Sequence, residues 1–169
     1  MAKSKSASRK TRTQYAALPY RIGDDGAIEV MLVTSRETRR WIVPKGWPIK
    51  GLKPHETAAR EAFEEAGVVG RVNKRPIASF QYEKRLKDGA TVTCDVELFP
   101  FHVEQQRKRW PEQDERDGRW FSLEDAAAAV AEAELSEAIR RFDLSLVQAT
   151  DQSRADKGGQ KSSSNRPKV

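Results

Sequence analysis

Apolar and polar positions divide the chain into recognisable elements. QYAALPYRI (14–22), the turn residues GDDG (23–26) and AIEVMLVTS (27–35) predict strand, turn and strand. Pro19 marks the first of these strands for a bulge or an edge. RRWIV (39–43) predicts a short strand that ends at Pro44. Residues 54–66 predict a helix, with Pro54 at its first position and Gly67 just past its end. Lys53 takes the N-cap place, where Ser or Asp serves better. Residues 71–85 predict extended chain, and Asp88-Gly89 a hairpin turn. In the returning strand Val92, Cys94, Val96 and Leu98 face one way, and Thr93, Asp95 and Glu97 the other. Residues 107–118 form a polar loop, and Arg119-Trp120-Phe121 a last short strand. The Ser122 to Asp125 segment is a capping box that opens an Ala-rich helix. Leu135, Ile139, Phe142 and Leu146 give a final helix an apolar stripe. The order of strands and helices is that of a single α/β unit.

Composition bounds what such a unit can do. The chain has 169 residues, which suits one domain with one modest core. Residues 1–13 and 149–169 are polar and basic or Ser-rich, and are expected to be disordered tails around a folded domain at 14–148. Neither tail carries an aromatic residue to stack on a base. The net charge of +6 and a pI near 9.5 favour anionic partners such as polyphosphates, nucleic acid or acidic surfaces. Cys94 is the single cysteine, which excludes an internal disulfide framework and a cysteine-based zinc cluster. No segment reaches the roughly 18 apolar residues of a membrane span, and the basic start lacks the apolar stretch of a secretory signal. A cytoplasmic location is the expectation.

The helix at 54–66 carries the candidate chemistry. At about 100° per residue, Ala58, Ala59, Ala62, Phe63 and Ala66 fall in one arc of about 140°, and Glu61, Glu64 and Glu65 in another of about 100°. The first set predicts a packing face that lets the helix sit close to a sheet. Carboxylates this close repel one another unless solvent or positive charge relieves them. A hard divalent cation does so, since Mg²⁺ takes oxygen ligands and typically binds one or two carboxylates together with substrate phosphates. A solvated Glu-rich face is the alternative, with Arg60 and Glu64 paired one turn apart.

The wider spacing decides between these. Gly46 is followed fourteen residues later by Arg60-Glu61, then by Ala62, Phe63, Glu64-Glu65, Ala66, Gly67 and Val68. This resembles the Nudix box, G-x5-E-x7-R-E-U-x-E-E-x-G-U with U apolar. The departure is Leu52, which stands where the box has its first glutamate; Glu56 comes four residues later. The resemblance covers roughly residues 14–142. It implies an α/β/α sandwich with a mixed β-sheet, and hydrolysis of a diphosphate linked to a further group. By motif position, Glu61 and Glu65 look like ligands of Mg²⁺ or Mn²⁺, with the Lys45 backbone carbonyl as a third. Glu64 looks like the general base and an additional metal contact, and Arg60 like the residue that orients the glutamates. Leu52 leaves a catalytically weak Nudix module that binds a nucleotide or RNA as an alternative from another class.

The stretches VMLVTSRETRRWIVPKG and WPEQDERDGRWFSLEDAAAAV resemble the branch that hydrolyses diphosphoinositol polyphosphates and diadenosine polyphosphates. Pro44-Lys45-Gly46 is also similar to diadenosine tetraphosphate hydrolases. A polyphosphate-bearing small molecule is therefore the expected substrate, with 5′-end RNA pyrophosphohydrolysis as the second enzyme reading. Arg36, Lys45, Arg85 and Arg116 are the substrate-binding candidates: the resemblance places Arg36, Arg85 and Arg116 at positions that contact substrate in that branch, Lys45 borders the active loop, and arginine suits bidentate phosphate contacts. Glu112 is open to two readings, an additional acid at the site or a solvated loop residue. Trp47 and Tyr82 can stack on an adenine or simply pack. His55 and His102 show no ligand spacing.

Overall fold

The fold is that of a computed structural model, in which residues 11–147 are described. Eight strands form one mixed sheet. They are β1 (Thr11–Ile22), β2 (Ile28–Thr34), β3 (Trp41–Ile42), β4 (Lys45–Gly46), β5 (Val68–Val72), β6 (Ala78–Arg85), β7 (Thr91–Gln106) and β8 (Gly118–Ser122). The helices are α1 (Pro54–Ala66), α2 (Leu123–Ala129) and α3 (Ala133–Arg140). The central order is β3-β2-β1-β7-β5, with β4 paired to β1, β6 to β7 and β8 to β2. The pair β1 and β7 is parallel, and every other pairing is antiparallel.

Strand alternation produces two cores. Ala17, Met31, Val33, Phe99 and Phe101 face α1 and meet Ala58, Ala62 and Ala66. Ala16, Leu18, Tyr20, Val30, Leu32, Cys94, Val96 and Leu98 face α2 and α3, and meet Ala126, Leu135 and Ile139. The result is the expected α/β/α sandwich. The alanines of α1 do what their size suggests and bring the helix close to the sheet.

Several boundaries differ from expectation. β1 begins at Thr11, so residues 11–13, expected in the tail, belong to the sheet. The rest of that tail and residues 149–169 lie outside the described residues. Pro19 stands inside a central strand, opposite Phe101 of β7. The strand tolerates it because β1 changes neighbour there, from β4 at Tyr15–Ala16 to β2 at Tyr20–Ile22. The short strand β4 carries no pattern of its own in the sequence. Of the final stripe, Leu135, Ile139 and Phe142 are buried, but α3 ends at Arg140 and Leu146 is 42% exposed.

Three local features hold α1 in place. The Lys53 backbone N–H donates to Glu56 Oε1 at 2.8 Å, so Glu56 at the third helical position satisfies the N–H of the N-cap residue. Gly67 closes it in the left-handed conformation (φ 72°), with its N–H on the Phe63 carbonyl at 2.8 Å. A Cβ at Gly67 would also meet the Trp110 ring at 2.3 Å, so the glycine seats the 107–117 loop on the helix end.

Candidate functional site

The site forms where β4 passes the exposed flank of α1. Lys45 pairs with Ala16, and Gly46 with Tyr15. Directly opposed residues share a face, so Gly46 looks toward α1 and the Lys45 side chain toward α2 and α3. A Cβ at Gly46 would lie 2.4 Å from Glu61 Cδ and 2.6 Å from its Oε2. A side chain at position 46 would displace that carboxylate, which gives the first residue of the box a steric reason.

The three acids do not share one solvated face. Glu65 is only 5% exposed and belongs with the packed residues Ala58, Ala62 and Ala66, whereas Glu61 and Glu64 are half-buried. Burial pushes the Glu65 carboxyl up to about 8, against the pull of Arg116 and Lys45. Burial also raises Glu61, while its hydrogen bond to Glu65 acts the other way and Glu64 and Glu112 add to the rise. Lys45 is lowered to about 8, again first by burial, with Glu65 and Glu132 opposing. Two neighbouring acids that resist ionisation together, one buried and one half-buried, are a poor arrangement by themselves and a good one around a cation.

Glu65 Oε1 tests that fit. It is buried and has no hydrogen-bond partner. An orphaned carboxylate oxygen is costly in a protein interior unless something else meets it. Among the described residues, no group of three or more His, Cys, Asp and Glu side chains could hold an ion. Mg²⁺ typically binds through one or two carboxylates together with substrate oxygens, and Glu61 and Glu65 are donors of that chemical kind.

Loop 107–117 completes the surroundings. Its Glu112 N–H donates to the Glu64 carbonyl at 2.9 Å and so anchors the loop to α1. Arg116 points inward, with its side chain only 9% exposed. Its Nε donates to Glu112 Oε1 at 2.8 Å and its Nη1 to the Thr34 carbonyl at 3.0 Å, and its Nη2 lies 3.8 Å from Glu65 Oε2. Arg116 was expected to meet substrate. The structure turns it to the carboxylates instead, where it joins α1, β2 and the loop. Glu112 lies at this cluster and is not merely a solvated loop residue. No local pattern around Arg116 signals the clamp, because its partners are distant in sequence.

The other expected residues separate. Arg36 is exposed, 3.0 Å from Glu115 and 4.0 Å from Glu112, so it borders the cluster. The hydrogen bond to Glu115 raises its pKa further. Arg85 is exposed at the end of β6, opposite Thr91, and nothing ties it to the carboxylates. Arg60, expected to orient the glutamates, forms no bond to them here. It is exposed and makes no hydrogen bond or ion pair with a described residue, so the expected pair with Glu64 is absent. It lines an open groove of about 610 Å³ between α1 and β5, together with Leu52, Phe63, Arg71 and Val72. Leu52, which replaces the first acid of the box, thus lies by the arginine that has no acid.

A mixed sheet sandwiched by helices, with an acid-bearing helix set against a glycine strand, defines the architecture. The chain belongs to the Nudix family: residues 12–142 match the NUDIX domain. Nudix hydrolase 21, chloroplastic, of Arabidopsis thaliana is 33% identical over 135 residues, which are 78% of this chain and 66% of that protein. Diphosphoinositol polyphosphate phosphohydrolase 3-beta of Bos taurus is 38% identical over 108 residues, 58% of this chain and 57% of that one. A C. elegans Ap4A hydrolase has the same fold, at 22% identity and a TM-score of 0.58, over 81% of this chain and 99% of that one. The chain spans about half to two thirds of the length of several plant relatives it matches. Among the described residues, no helix is long and apolar enough to cross a membrane.

Proposed function

We propose that this protein is a Mg²⁺-dependent pyrophosphohydrolase that cleaves a phosphoanhydride bond in diphosphoinositol polyphosphates or diadenosine polyphosphates. The observation that carries the reading is the Glu61–Glu65 pair, with Glu65 Oε1 buried and unpartnered beside the glycine that makes room for Glu61. The resemblance to the Bos taurus phosphohydrolase supports the substrate class.

Glu61, Glu65 and the Lys45 carbonyl hold the ion in this reading. The bound ion supplies Lewis-acid charge at a phosphoryl oxygen and acidifies water. Glu64, half-buried on the same helix, takes the proton of the attacking water. Arg36 and Lys45 neutralise substrate phosphates, and Arg85 extends that reach along the β6 hairpin. Arg116 acts as a positioning residue by fixing Glu65 and Glu112.

The test is turnover of diadenosine hexaphosphate, diphosphoinositol pentakisphosphate and triphosphorylated RNA with Mg²⁺, in parallel with Glu64→Gln. Removal of a positioned general base is expected to slow turnover by about 10²- to 10⁴-fold. Absence of turnover on the whole panel sinks the enzyme reading, and undiminished turnover by Glu64→Gln sinks its role. Turnover of RNA alone would replace the proposed substrate class.

A further inference from the structure

The sheet has an open edge beside α1, on the flank of that helix away from the carboxylates. β5 ends the strand order and, among the described residues, pairs with β7 alone. An outer strand presents a row of main-chain N–H and C=O groups that another chain can meet. The register shifts between Val69 and Gly70, after which Gly70, Arg71 and Val72 run in step with Val103, His102 and Phe101. Those three residues form one wall of the open groove of about 610 Å³, and α1 supplies the other.

The lining of the groove points to its occupant. Leu52, Phe63 and Val72 are each only half-buried there, so the groove keeps an apolar floor. Arg60 and Arg71 also line it. Both are exposed, and neither side chain makes a hydrogen bond or ion pair with a described residue. Glu56, the acid among the lining residues, already accepts from the Lys53 N–H. Lys74 and Arg75, exposed just past β5, add charge of the same sign.

Strand alternation separates the apolar contacts from the charged ones. Val72 opposes Phe101, which faces α1, and Arg71 opposes His102, which stacks on Tyr20 of the α2–α3 side. Arg71 and Val72 therefore point to opposite faces of the sheet. Glu104 of β7 shares the face of Arg71 by the same alternation and forms no ion pair with it. A strand added to β5 sends its own side chains alternately to the two faces. Apolar side chains then reach the groove, and acidic ones stand beside Arg71.

This chain offers no fitting occupant of its own. Residues 1–10 and 148–169 each carry more Lys and Arg than Asp and Glu. A second copy brings the same unpaired arginines to the contact, where like charges oppose it. A nucleic acid meets the arginines but makes no use of an open strand edge. We propose that the groove between α1 and β5 docks an extended acidic segment of a partner protein. Its main chain adds to β5, its apolar side chains rest on Leu52, Phe63 and Val72, and its carboxylates meet Arg60 and Arg71.

The experiment titrates the full chain into a fluorescently labelled peptide, Glu-Val-Glu-Val-Glu, and reads anisotropy. This peptide is expected to bind saturably. Lys-Val-Lys-Val-Lys, of opposite charge, and Glu-Ser-Glu-Ser-Glu, without the apolar anchors, are each expected to bind at least about tenfold more weakly. N-methylation of alternate amides removes the main-chain donors and is expected to cost a similar factor. Arg71→Glu and Leu52→Glu are each expected to weaken the acidic peptide by about tenfold, the worth of one charge-assisted hydrogen bond. Lys87→Glu makes the same charge change as Arg71→Glu at the opposite end of β7 and is expected to stay within about twofold, since distant charges are screened. Melting curves check that the variants fold, and the peptide controls on the unmodified chain keep the proposal testable if one does not.

Equal weakening by Lys87→Glu overturns the proposal, as does equal binding of the lysine peptide. Failure of the acidic peptide to bind also overturns it, and would leave Arg71 as a charge that guards an open edge against pairing. Full affinity of the N-methylated peptide overturns strand addition. Displacement of the peptide by a single-stranded RNA that binds more tightly overturns the protein partner. None of these readings depends on turnover, so they stand or fall apart from the catalytic reading.

Discussion

Arg60 and Arg116 flank the same helix and meet opposite fates. Arg60 belongs to the sequence motif, yet it lies exposed beside Leu52 and makes no ion pair with a described residue. Arg116 lies outside the motif, yet it is buried and joins Glu112, Glu65 and the Thr34 carbonyl. The difference is the surroundings and not the guanidinium. In solvent, an arginine is screened and replaceable. In a dry pocket it neutralises acids that could not otherwise stand together, and its removal leaves them uncompensated. The motif arginine is thus expected to be the more dispensable of the two, since it stands in solvent with no acid paired to it among the described residues.

The largest expected effect follows from that contrast. Arg116→Ala leaves Glu65 and Glu112 without their cation and is expected to cost about 3–5 kcal/mol of stability. For a chain of this size that lowers Tm by on the order of 10 °C. Arg60→Ala is expected to stay within about 0.5 kcal/mol, as at other surface sites. Thermal denaturation of the two variants side by side is the measurement, and equal losses would break the comparison.

A smaller effect separates the strand that faces the site from the loop that leads away from it. Gly46→Ala places a Cβ 2.4 Å from Glu61 Cδ, so the carboxylate must move. Misplacement by about 1 Å is expected to lower kcat/KM by up to about 10²-fold. Gly51 has φ +88° and open space around it, so Gly51→Ala strains only its own backbone. That variant is expected to lose about 1–2 kcal/mol of stability and to keep its kcat. Steady-state kinetics with a melting curve distinguishes the two, and a silent Gly46→Ala would remove Glu61 from the proposed ligand set.

Local chemistry made most of the fold legible, and the site only in part. The period-2 run from Val92 to Leu98, the Asp88-Gly89 turn, the Ser122 cap and the Gly46-to-Val68 spacing are each written in adjacent residues, and each element formed where expected. β4 was invisible because a two-residue strand has no period to display. The burial of Glu65 was invisible because a helical wheel ranks faces by residue type, while β4 and the 107–117 loop arrive from elsewhere to cover it. The Arg116 clamp and the cations over Trp47 and Tyr82 are likewise contacts between distant segments. Trp47 and Tyr82 were legible as packed or stacking rings, but not as rings that Arg12 and Lys45 already occupy.

Leu52→Glu sharpens the comparison with the smallest expected effect. Leu52 and Arg60 line one groove, so a glutamate there has a free guanidinium within the same pocket. An exposed pair of this kind is worth about 0.2–1 kcal/mol, part of which is offset by the apolar contact Leu52 gives up. The expected gain in Tm is therefore no more than about 2–4 °C, and it should fade as salt shortens the Debye length toward ~3 Å at 1 M. In an Arg60→Ala background the gain should vanish, since the interaction term of a double-mutant cycle isolates the pair. Turnover should stay within about twofold of the unmodified chain, because surface changes away from reacting groups do not reposition them. A rate that rises well beyond that, and only when Arg60 is present, would mean that the groove flank of α1 governs the carboxylates on the other. Arg60 would then share with Arg116 the work of positioning them, and the division between the two arginines would fail.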